Sequence, residues 1–170
     1  MAKRIVDFRE CQAETIEAYD EKRVLLVSQG HKGLPNVMTI GWGSLGITWK
    51  RPVFTVLVRH SRFTYHMLEE SGEFSVNILP PGMEEVAQYC GTVSGRDFNK
   101  FEVKQLTAVP SSRLKIPIIK ECHIHFECKI IYKSDLVPED LAKPILSAIY
   151  GDSKDFHRIY FGEILACQRD

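Results

Sequence analysis

Gly41-Trp42-Gly43-Ser44-Leu45-Gly46-Ile47-Thr48-Trp49-Lys50-Arg51-Pro52-Val53 is the stretch on which the fold turns. Its first six residues match G-x-G-x-x-G, and a strand-like run precedes them. In a parallel α/β fold a helix must begin on those glycines, so that its N-terminus faces a pyrophosphate. Here the chain continues through β-branched Ile47 and Thr48 to Arg51-Pro52, a segment that opposes a helix. The dinucleotide-binding reading therefore fails. The glycines suit backbone bends, or the close approach of a flat ligand.

Outward from this stretch, strands dominate. Arg23 to Gln29, with its apolar run Val24 to Val27, Asn36 to Trp42, and Val53 to Arg59 all read as strands. His31-Lys32-Gly33-Leu34-Pro35 is a turn, and Gly43 to Arg51 a glycine-containing connection. Phe74 to Leu79 is a further strand, closed by Pro80-Pro81-Gly82, and Cys122 to Tyr132 and Phe156 to Ala166 are longer ones. A helix runs from an N-cap at Ser61 to a stop at Gly72, with Phe63, Met67 and Leu68 at helical spacing. Met83 to Cys90 and Pro138 to Tyr150 also read as helical, the second with Leu141, Ile145 and Ile149 on one stripe, and Ser94 to Lys100 as a polar loop. Strands and helices do not alternate as a βαβ series, and there is no linker or repeat. The expectation is one mainly β domain over residues 1–170, an antiparallel barrel with short inserted helices.

Composition narrows the function. The 170 residues hold 22 Lys plus Arg against 22 Asp plus Glu, without the basic excess of a nucleic-acid binder. No apolar run nears the roughly 18 residues of a membrane span, and Met1 to Glu10 lacks the apolar segment of a secretory signal. Five widely spaced cysteines in a chain of this size read as reduced thiols of a cytoplasmic protein. Cys122-His123-Ile124-His125-Phe126-Glu127-Cys128 contains metal-ligand types, but a strand puts Cys122 and Cys128 on one face and His123 and His125 on the other, so no metal site is expected. Cys90 reads as a small buried hydrophobe, and no nucleophile–base pair supports hydrolysis.

One segment is charged against its own helix. Helices favour acids in the first turn. Arg59 and Arg62 flank the start at Ser61, while Glu69 and Glu70 lie at the far end. A bound anion would resolve the conflict, held by backbone N–H groups, the Ser61 and Thr64 hydroxyls and two guanidiniums. Arginines facing water are the other reading.

Several motifs, in order, point to a family. Asn36-Val37-Met38-Thr39-Ile40-Gly41-Trp42 resembles the N-x-M-T-x-x-W signature of the flavin reductase-like, FMN-binding split-barrel family. Arg59-His60-Ser61-Arg62-Phe63-Thr64 is similar to its R-x-S-R-x-T, and Phe74-Ser75-Val76-Asn77 to its F-x-V-N. Cys90-Gly91-Thr92-Val93-Ser94-Gly95-Arg96-Asp97-Phe98-Asn99-Lys100-Phe101 resembles C-G-x-x-S-G-R-D-x-x-K-F of the flavoredoxin-like branch. His157-Arg158-Ile159-Tyr160-Phe161-Gly162-Glu163-Ile164 resembles H-x-x-x-x-G-E-V, with Ile for Val.

The resemblance implies a split barrel, a homodimer and FMN near the subunit interface, with FAD left open. It places the phosphate and ribityl chain against Thr39, Arg59, Ser61, Arg62, Thr64, Ser94 and Lys100. It places Asn36, Met38, Gly41, Trp42 and Asn77 around the ribityl and ring region, and His157 on the substrate side. Trp49 is left as core or dimer surface. The function implied is an oxidoreductase taking electrons from NAD(P)H or a protein donor. The alternative is a non-enzymatic, flavoredoxin-like carrier with a redox protein partner.

Overall fold

The computed structural model describes residues 3–31 and 33–170. In chain order the strands are β1 (Arg4–Val6), β2 (Val24–Ser28), β3 (Asn36–Thr39), β4 (Gly43–Thr48), β5 (Arg51–Arg59), β6 (Glu73–Ile78), β7 (Ala108–Val109), β8 (Ile118–Ile119), β9 (Ile124–Asp135) and β10 (His157–Arg169). The helices are α1 (Gln12–Asp20), α2 (Phe63–Ser71), α3 (Glu84–Thr92), α4 (Lys100–Val103) and α5 (Lys143–Ile145). The main sheet runs β3-β2-β6-β9-β10-β5-β4, with β1 on β10, and every pairing is antiparallel. It does not close. β3 and β4 are its two ends, joined by residues 40–42, and the fold is an antiparallel split barrel with short helices inserted.

The run Val24 to Val27 shows no polar alternation because β2 is covered on both faces. Val24 and Leu26 join Phe54, Phe74 and Phe126 in the main core, whereas Leu25 and Val27 pack with Ala87, Cys90 and Phe101 of α3 and α4. Burying both faces of one strand removes the period-2 signal and leaves a continuous apolar run.

The stretch read as a connection, Gly43 to Arg51, is instead β4 and a tight turn into β5. Thr48 pairs with Arg51 across Trp49 and Lys50, whose φ angles are 51° and 60°. Asn-Gly is the usual signal for a left-handed pair of this kind, and Trp-Lys carries none. Pro52 fits because β10 pairs β5 only as far as Val53, so no ladder bond is lost there. Gly43 is needed for packing: a Cβ there would press on the Tyr19 hydroxyl and lie 2.8 Å from the Thr55 carbonyl.

Other boundaries move for local reasons. The strand from Asn36 ends at Thr39 rather than Trp42, and α2 starts at Phe63 with Arg62 rather than Ser61 at the cap. Gly72 does stop α2, at φ 67°. Pro138 to Tyr150 is not one helix but a 3₁₀ turn (Pro138–Asp140), α5 and a π turn (Leu146–Tyr150). Pro144 lacks the N–H that a continuous helix would use, so the pattern breaks there. The helix α1 lacked a legible stripe because its core face consists of two small residues, Thr15 and Ala18. Among the described residues, no helix is long and apolar enough to cross a membrane.

Candidate functional site

Two neighbouring cavities open at the split and share Met38 and Arg62 as walls. The first encloses ≈ 250 Å³ between the end of β3, the Gly41-Trp42 link, Leu57 and Arg59 of β5, and His157 of β10. The second encloses ≈ 160 Å³ where α2 begins, closed by the segment from Cys90 in α3 to Lys100 at the start of α4.

Charge sets the second cavity apart. Arg62, Arg96 and Lys100 line it, and among the described residues no carboxylate does. Lys100 is only 4 % exposed, and its ammonium donates to the Cys90 carbonyl at 2.7 Å. Burial first, and then the nearby Arg62 charge, lower its pKa. A buried ammonium with one neutral acceptor is poorly compensated, and an anion in the cavity would supply what the fold withholds. Arg96 donates to the Ser61 carbonyl at 3.0 Å and lies over the Phe63 ring. Thr64, 1 % exposed, accepts from the Asn36 amide at 2.9 Å and fixes the back wall. Gly95 lets the loop settle here, since a Cβ would come within 2.8 Å of the Asn36 Cγ.

The helix start itself is not left unanswered. Asp155, 94 residues further along the chain, accepts from the Ser61 N–H at 3.2 Å and the Ser61 hydroxyl at 2.6 Å. Arg59 stands 3.9 Å from the same carboxylate. The positive end of α2 thus has an internal acid, and the Ser61 hydroxyl and Arg59 are turned towards it. Among the described residues, the cations of this site without an acidic partner are Arg62, Arg96 and Lys100.

The first cavity has an aromatic wall. Trp42, 45 % exposed, forms one wall with its ring 5.2 Å from that of His157. His157 is buried, and the Tyr150 hydroxyl meets its Nδ1 at 2.5 Å. Burial, and then the Arg59 charge, push its pKa down to about 4, so the imidazole is neutral at pH 7. Nothing within 4 Å would meet a Cβ at Gly41, which leaves the backbone open to the cavity.

Most residues singled out from the sequence converge on this pair of cavities. Thr39, Gly41, Trp42, Arg59 and His157 line the first, and Asn36, Ser61, Thr64, Ser94 and Lys100 the second, with Met38 and Arg62 in both. Asn77 is the correction. It is fully buried within β6, donating to the Ser75 hydroxyl at 2.9 Å and accepting from the Ile119 N–H at 3.0 Å and from His125. Its amide ties β8 and β9 to β6 and lines neither cavity. Arg96, Tyr150 and Asp155 were missed. Arg96 stood inside a quoted motif, whereas the other two carry no local signal. In the Cys-His segment, His123 meets Glu14 at 2.6 Å while His125 meets Asn77 and the Cys122 carbonyl. Trp49 is not core: it is 59 % exposed and packs edge-on against Tyr132. Cys90 is buried, which raises its thiol pKa to about 11.

The chain is similar to known proteins in sequence and in fold. Residues 21–170 match the family model described as flavin reductase like domain. An uncharacterized protein of Archaeoglobus fulgidus is 33 % identical over 136 residues, which cover 79 % of this chain and 75 % of that one. A flavoredoxin structure from Methanosarcina acetivorans matches with a TM-score of 0.67 at 29 % identity, over 88 % of this chain and 69 % of that one. The flavoredoxin of Desulfovibrio vulgaris (Miyazaki F) shares the fold, with a TM-score of 0.69 at 23 % identity over 86 % and 68 % of the two chains.

Proposed function

The chain belongs to the flavin reductase like family, and on that premise we propose that it holds FMN across both cavities and passes electrons through it from a reduced nicotinamide or a protein donor. The observation that carries this reading is the acid-free cavity around Arg62, Arg96 and the buried Lys100. A terminal phosphate dianion answers that charge, and guanidinium and ammonium donors bind it with charge-assisted hydrogen bonds. The ring would lie in the first cavity, against Trp42 and the open backbone at Gly41.

When bound, FMN supplies the reversible two-electron and one-electron chemistry. The chain's own residues bind, orient and tune. Arg62 belongs to both cavities and ties the phosphate end to the ring end. Arg59 and Arg62 put positive charge at the rim of the ring cavity, which favours an electron-rich ring. His157 stays neutral at pH 7 and is fixed by Tyr150, so it can offer a hydrogen bond without adding charge.

A second copy of the chain is part of the proposal. Trp49, Tyr132 and Phe161 form a surface aromatic cluster with ring centroids 5.4–5.8 Å apart, large enough in kind to want a cover. Light scattering of the purified protein checks for a homodimer. The carrier reading rests on the 29 % identity to a flavoredoxin. An absorbance spectrum of the purified protein tests flavin binding, and NADH or NADPH oxidation with added FMN separates the two roles. Turnover marks a reductase. Bound FMN without turnover marks a carrier, and a colourless protein that takes up no added FMN overturns both.

A further inference from the structure

We propose that Cys11 and Cys167 are a redox-active pair, closed to a disulfide by a hydroperoxide, that staples the 3₁₀ turn Phe8–Cys11 to β10. The inference stands apart from the flavin reading. The two residues lie 156 positions apart in the chain, yet the Cys167 thiol donates to the Cys11 sulfur at 3.7 Å. Both are buried in the main core, Cys11 fully and Cys167 nearly so. Cys128 belongs to the same core, and Cys90 and Cys122 to the one beside α3, but among the described residues no other thiol meets a second sulfur. A thiol buried for packing alone acts as a small hydrophobe and needs no sulfur against it. A disulfide bond is about 2.05 Å long, so the two sulfurs close by only about 1.7 Å, within reach of side-chain rotation and a small shift of the turn.

The surroundings give the two sulfurs different roles. The Cys167 S–H holds the Cys11 thiol below its ordinary range, and Arg169 acts in the same direction. The contact with Cys11, and then burial, push the Cys167 thiol up. Cys11 is therefore the thiol that ionises and attacks. Its thiolate bonds to one oxygen of hydrogen peroxide, the O–O bond breaks, and the departing hydroxide takes up the proton that Cys11 released. The Cys167 sulfur then attacks the resulting sulfenic sulfur, the S–O bond breaks, and water leaves with the Cys167 proton. Two thiols lose two electrons and two protons, and the peroxide is reduced to two waters. Access comes from the edge of the sheet. Val6 stands opposite Cys167, in a strand of three residues that pairs with β10 alone among the described residues. Fraying of so short an edge strand is the route by which a small oxidant reaches the pair.

Treating the purified protein with hydrogen peroxide, then digesting it without reductant for mass spectrometry, tests the pair. The expected product is the Cys11 peptide joined to the Cys167 peptide with the loss of two hydrogens. Thiol titration in denaturant should fall from the five cysteines of the sequence by two. Because the bond closes a loop of most of the chain, the melting temperature should rise by about 10 °C and return when dithiothreitol is added. Cys11→Ala and Cys167→Ala should each abolish the peroxide-dependent rise, and the wild-type mapping does not depend on either variant folding. Five free thiols after treatment, a link to Cys128 or between two chains, oxidation of either cysteine to a sulfinic acid without a link, or a link with no rise in melting temperature would overturn the inference.

Discussion

Glu127, on β9, is fully buried, and its carboxylate accepts from the Ser112 N–H and hydroxyl at 2.9 Å each, from the Arg113 N–H at 2.6 Å and from the Gln168 amide. Lys100, at the head of α4, is nearly as buried, yet its ammonium meets a single carbonyl and stands beside two guanidiniums. The first charge is closed by the fold. Its donors come from one loop and from β10, and together they pin residues 112–113 to the sheet. The second is left open toward a cavity. A fold that can surround a buried carboxylate with four donors has the means to neutralise a buried ammonium, and at Lys100 it does not. On the proposed function, the difference separates a charge used for structure from a charge held for a ligand.

The sharpest way to break this contrast is to remove each charge and read stability and binding separately. Glu127→Ala strands buried donors and should lower stability by about 4 kcal/mol in urea unfolding. Lys100→Met should do the reverse. Removing a poorly compensated buried charge leaves stability unchanged or raises it by up to about 1 kcal/mol, while FMN affinity falls by about 3 kcal/mol. Arg62→Ala should weaken FMN by about 2 kcal/mol in a fluorescence titration and change stability by less than about 0.5 kcal/mol.

Acid offers a finer probe of the ring cavity. His157 titrates near 4 in the folded chain, below the ordinary histidine value near 6.5 that the unfolded chain keeps. Between those values the unfolded state binds the proton first, so stability must fall as pH drops from about 6.5 to about 4. The loss is of order 2 kcal/mol, and His157→Gln should remove that part of the slope in melts between pH 7 and pH 4.5. The smallest expected effect is at Asp155. Asp155→Asn keeps a partner for Ser61 but removes a negative charge beside the cation cavity. FMN should bind a few-fold tighter, with a stability loss below about 1 kcal/mol.

The end of the site proposed for the phosphate was legible in sequence because its parts lie in short segments, Arg62 to Thr64 and Ser94 to Lys100, where basic and hydroxyl side chains stand within a few residues of one another. What escaped was set by distance. The helix-dipole reading of Arg59 and Ser61 was correct about the conflict but could not foresee an acid arriving from 94 residues away. Asn77 failed for another reason. Its strand lies between β2 and β9, where a polar side chain must be satisfied inside the sheet, and its register puts it beside His125 rather than at the split. The β4–β5 hairpin was hidden by Trp49-Lys50, a turn whose left-handed residues give no chemical signal. The broad reading survived these errors because strand dominance and the failed helix after Gly46 do not depend on any one boundary.

Comparing FMN with riboflavin tests the central claim most directly, since the two ligands differ only in the phosphate assigned to Arg62, Arg96 and Lys100. Titrated against wild type by flavin fluorescence, FMN should bind at least about 100-fold more tightly than riboflavin. That gap should shrink sharply in Lys100→Met. Equal affinities for the two flavins in wild type would contradict the account.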